Sequence, residues 1–91
     1  MATEIIASGT TATQSSDIIL AGGELTTLIL RAPDDLASDY KAAYIEVKDS
    51  TGGYIKVANL TRSDPAKVVS GPVTFRVRRA IMSIAIGVDR E

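Results

Sequence analysis

Two seven-residue runs, AYIEVKD (43–49) and YIKVANL (54–60), are separated by the four residues STGG. Ile45 and Val47 in the first, and Ile55 and Val57 in the second, recur at every second position. That spacing suits strands with one buried and one wet face and leaves an α-helix no apolar stripe. Four residues containing two adjacent glycines are enough to reverse the chain. The segment is expected to form a β-hairpin, with Ile45, Val47, Ile55 and Val57 turned inward. Tyr44, Glu46, Lys48, Tyr54 and Lys56 then turn outward, where a cross-strand pair of Glu46 with Lys56 is worth roughly 0.3 kcal/mol in water.

The same two-residue period recurs along the chain between turn signals. DIIL (17–20) reads as a brief strand and Ala21-Gly22-Gly23 as a turn. ELTTLILR (24–31) is apolar on both sides, with Thr26, Leu28 and Leu30 against Leu25, Thr27 and Ile29, as a central strand requires. APDDLASDYK (32–41) is a loop in which Pro33-Asp34-Asp35 can start one helical turn. TRSDPAKVVS (61–70) gives a turn and a short strand, since Asp64-Pro65 bars a helix there. After Gly71-Pro72, Val73, Phe75 and Val77 alternate with Thr74, Arg76 and Arg78. In the last strand, Met82, Ile84, Ile86 and Val88 share one face, and Ser83, Ala85 and Gly87 leave the other open to a close approach. Seven or eight short strands at intervals of about 8–12 residues, with no amphipathic helix, predict a single small antiparallel β-sandwich of immunoglobulin-like type over residues 17–91.

Residues 1–16 stand apart. SGTTATQSS (8–16) holds six Ser or Thr in nine residues and follows only the short apolar EIIA (4–7). Such a segment is expected to be an N-terminal arm that orders in an assembly. MATEIIASG lacks the basic start and long apolar run of a signal peptide, and no stretch approaches the roughly 18 apolar residues of a membrane span. The formal charge of −1 is unevenly placed: residues 1–40 carry six acidic residues against Arg31 alone, whereas residues 41–91 carry nine basic against five acidic. Opposed halves of this kind steer copies of a chain toward one another.

The chain contains neither His nor Cys. That removes the usual general base, thiolate nucleophiles and the commonest transition-metal ligands, and no pattern of a phosphate-binding loop is present. The expectation is a non-enzymatic protein with no cofactor. Arg76, Arg78 and Arg79 fall within four residues. A pI of about 5.3 and the scarcity of aromatic platforms disfavour nucleic acid as their partner. Arginine forks also pair carboxylates, so a protein interface is expected from these three together with Tyr44 and Tyr54.

Across residues 17–80 the order of motifs is also familiar: a strand closing in an A-G-G-E turn, T-T-L-I-L, a Y-I-E-V-K-D to G-G-Y hairpin, and D-P-A-K-V-V-S-G-P-V-T-F-R-V-R-R. It resembles the small β-sandwich virion proteins of tailed bacteriophages, of the head decoration (cement) or short head-fibre type. Where that pattern reads G-P-G-T-Y-R, this chain has Val73 for the Gly and Phe75 for the Tyr. The resemblance implies a structural virion protein made in the host bacterial cytoplasm and placed on the capsid surface. Its partners would be the major capsid protein and further copies of itself. A carbohydrate- or host-surface-binding module using Tyr44 and Tyr54 is the alternative, and a nucleic-acid binder through the arginines a third.

Overall fold

The computed structural model describes residues 2–91, among which there are nine strands and no helix. They are β1 (Thr3–Gly9), β2 (Thr13–Gln14), β3 (Ile18–Leu20), β4 (Leu25–Arg31), β5 (Ala43–Lys48), β6 (Tyr54–Leu60), β7 (Ala66–Ser70), β8 (Val73–Arg79) and β9 (Ile86–Arg90). One antiparallel sheet runs β1-β9-β4-β7. The other runs β2-β8-β5-β6, with β3 beside β2 on the same flank of β8. Only β5 and β6 are joined as a hairpin within one sheet; the connections β1–β2, β3–β4, β4–β5, β6–β7, β7–β8 and β8–β9 all change layer. The result is an all-β sandwich.

Each strand turns one face to the space between the sheets. Leu28, Leu30, Ile86, Val88 and Ile6 from the first sheet meet Ile18, Leu20, Ile45, Leu60, Phe75 and Val77 from the second. With no Trp and one Phe the core is aliphatic around Phe75, and each large side chain removed from water contributes about 1.5–3 kcal/mol. β4 is interior to its sheet, as its two-sided apolarity predicts, with Thr26 and Leu28 buried and Leu25 exposed on the outer face. The hairpin turn is fixed by Asp49, whose Oδ1 accepts from Thr51 N–H, Thr51 Oγ1 and Gly53 N–H. These donors, the Thr51 hydroxyl foremost, hold the Asp49 carboxyl below its ordinary value.

Three expectations are corrected. Ile55 and Val57 are not buried; they are 55% and 58% exposed, although Ile55, paired with Val47, keeps the inner side of its sheet. β6 lies at the open edge of its sheet, and a register shift pairs Ile45 with Ala58 but Glu46 with Lys56, so Val57 is the extra residue of a bulge. Leu60, at the far end of β6, occupies the core in their place. Next, the last strand starts only at Ile86, and Met82 and Ile84 pack on the core from the loop before it.

Finally, of the arm expected over residues 1–16, the described residues 2–16 are not detached; Met1 lies outside the described residues. β1 pairs with β9, β2 pairs with β8, Ile6 is in the core, and Ser15 N–H donates to Val77 O. Two arginines explain why a Ser/Thr-rich segment stays down. Arg31 lies over Gly87, where a methyl group would collide with it, and reaches β1 through Glu4 Oε2 (2.9 Å) and Ile6 O (3.0 Å) while its Nε donates to Asp89. The second is Arg79.

Candidate protein-binding face

β8 supplies Arg76, Arg78 and Arg79, and the two-residue period sends the first two to the outer face of the second sheet. Cross-strand register builds that face in rows. Arg78 sits beside Tyr44, which in turn faces Asn59; Arg76 sits beside Glu46, which faces Lys56; and Lys48 faces Tyr54. Ile19 joins the face at its Tyr54 end, opposite Thr74, and is 75% exposed.

The groups are linked rather than free. Arg76 Nε donates to Glu46 Oε1 at 2.8 Å, with the two side chains only 18% and 11% exposed. The Arg76 guanidinium lies 3.6 Å from the Tyr54 ring centroid, a stacked cation–π contact. Tyr54 donates its hydroxyl to Asp17 Oδ1 at 2.6 Å, and Lys48 Nζ approaches Asp17 Oδ2 at 3.5 Å. Lys56 Nζ is 4.6 Å from the Tyr44 ring centroid. Arg78 is the freest cation of the three arginines: its side chain is 53% exposed and only 3.8 Å of Coulomb contact joins it to Glu46 Oε2. Four cations against Glu46 and Asp17 give the face an excess of two positive charges.

The Tyr54 hydrogen bond, helped by Lys48, holds the Asp17 carboxyl below its ordinary value. The same bond pushes the Tyr54 phenol up. Both shifts keep the pair as carboxylate and neutral donor. Asn59 Oδ1, beneath the Tyr44 row, is buried with no hydrogen-bond partner among the described residues.

Arg79 has a different fate from the one expected at an interface. It is 3% exposed, and its guanidinium donates to Thr11 O (2.8 Å), Ala7 O (2.7 Å), Ile86 O (2.9 Å) and Thr11 Oγ1 (3.3 Å). It clips β8 of one sheet to β1 and β9 of the other. Gly9 leaves it room, since a Cβ there would stand 3.1 Å from Nη2. A buried cation is tolerated because its planar fork meets carbonyl oxygens on several sides.

The structure thus gathers Tyr44, Tyr54, Arg76 and Arg78 on one face and removes Arg79 from it. Sequence reasoning missed Asp17 and Ile19 as members and took Glu46 as wet. Asp17 carried no signal, because its partner lies 37 residues away. Glu46 carried one, since it alternates in phase with the outward tyrosine.

Comparison of the chain with protein-family models, with curated proteins and with solved structures finds no match.

Proposed function

We propose that this chain is a non-enzymatic structural protein of a tailed-phage virion, which binds the capsid surface as a decoration or cement protein. The motif order over residues 17–80 supports the class. The observation that carries a protein partner is the outer face of the second sheet, where an exposed Ile19 shares the face with Tyr44, Tyr54 and an excess of cations. Aromatic and arginine side chains around an exposed apolar residue are the make-up of an interface centre. A sugar ligand is a poorer fit, because both tyrosine rings already carry cations. DNA is poorer still: Arg79 is buried and Arg76 is neutralised by Glu46.

Ile19→Asp tests the contact, since an exposed strand position changes stability by under about 0.5 kcal/mol. Co-sedimentation with capsids of the encoding phage should fall at least tenfold while the β-type circular dichroism spectrum is kept. Undiminished co-sedimentation would rule out this end of the face.

A further inference from the structure

We infer that the surface around Tyr44 is the interface of a twofold-symmetric dimer of this chain, in which Asp35 and Asp39 of each copy meet Lys56 and Arg78 of the other. The inference rests on reading the outer face as a protein interface, but it needs no capsid.

Tyr44 is where two patches of opposite sign meet. On its sheet side stand Arg78 and Lys56. On its other side the loop between β4 and β5 begins, and Ala37, Asp39, Tyr40 and Lys41 form a hollow of about 380 Å³ against Tyr44. Tyr40 and Ala37 also line the adjoining hollow of about 250 Å³, whose rim includes Asp35. Asp34, Asp35 and Asp39 are all exposed, and none accepts a hydrogen bond or ion pair among the described residues. The cations beside them are Lys41, the Arg62 that donates to Leu36 O, and Arg31, which is already paired with Glu4 and Asp89.

A positive patch next to a negative patch is its own complement after a half-turn: each sign lands on its opposite, and Tyr44 lies near its symmetry mate at the axis. This is the isologous geometry of most homodimers. A formal charge of −1 adds almost no general repulsion between copies.

The sheet edges offer no competing route. β6 is broken by the Val57 bulge, β1 has two register shifts against β9, and the flank of β8 is split between β2 and β3. β7 is short and bounded by Pro65 and Pro72. Bulges, brevity and proline all resist strand addition, so copies must meet by faces.

Sedimentation equilibrium of the wild-type protein at 50 mM and 500 mM NaCl reads the contact directly. A dimer whose dissociation constant rises at least tenfold with salt is expected. The charge-reversed variants Asp35→Lys/Asp39→Lys and Lys56→Glu/Arg78→Glu should each be monomeric, and an equimolar mixture of the two should dimerise again, because both contacts are then restored. Thermal melts identify any variant that is unfolded, and the salt series on the wild type decides the matter without it. A monomer at millimolar concentration in low salt would overturn the inference, as would a dimer indifferent to salt or open oligomers beyond two. Particle co-sedimentation of the two variants separates the readings: lost dimerisation with particle binding kept sinks neither, whereas a wild-type monomer that still binds capsids sinks only the dimer.

Discussion

Arg76, Arg78 and Arg79 share one side chain and occupy three environments, so removing each should cost differently. Arg76→Ala strands the Glu46 carboxylate where its side chain is only 11% exposed, and should cost about 3 kcal/mol. Arg78→Ala should cost under about 0.5 kcal/mol. Arg79→Lys keeps the charge but loses the fork that serves Ala7, Thr11 and Ile86, and should cost on the order of 3 kcal/mol. Midpoints of urea denaturation give this ranking; equal losses for Arg78 and Arg79 would refute the assigned roles. The Asp17–Tyr54 bond makes a second residue-scale prediction. A depressed carboxyl stabilises the fold above its ordinary value of 3.8 and loses that contribution as pH falls through the lower folded value. A raised phenol stabilises the fold below its ordinary value of 10.0 and loses that contribution as pH climbs through the higher folded value. NMR titration of the Tyr54 Cζ should therefore give a midpoint above 10.0, and Asp17→Asn should move it back down. The outward placing of Arg76 and Arg78 was legible in the two-residue period, but the burial of Arg79 was not, since it depends on acceptors at Thr11 and Ala7, 68 and 72 residues away.

Among the elements, the hairpin was the most legible and still not wholly so. Its alternation and its turn are local properties, and β5 and β6 form where they predict. How much of β6 is buried depends on having no strand beyond it and on the Val57 bulge, both products of sheet assembly. β1 was illegible for a related reason. Its composition reads as linker, and its order comes from β9, Arg31 and Arg79, all of them distant in sequence. Deleting residues 2–9 should accordingly do more than trim a tail. It removes Ile6 from the core, takes acceptors from two guanidinium groups and uncovers the edge of β9, so the truncated protein should lose more than about 3 kcal/mol and aggregate. Amide exchange in dilute wild-type protein should show β1 and β9 protected together; free exchange throughout β1 would restore the picture of a loose arm.

For the whole molecule, the two-layer architecture followed from periodicity, while the order of strands did not. The acidic first part and the basic remainder are little spent on each other: among the described residues Asp17 with Lys48 joins an acid of the one to a base of the other, Arg31 with Asp89 crosses the divide in the opposite sense, and the loop carboxylates at 34, 35 and 39 are left over. The same interleaving sets Thr3 beside Arg90 in the antiparallel ladder of β1 and β9. A tether running through both ends would therefore tug at a single corner, loading the ladder one bond at a time, as a zip opens. A pull spread over a sheet face meets the whole packed core at once. Under mechanical load, this domain is strong when gripped by its faces and weak when dragged by its ends.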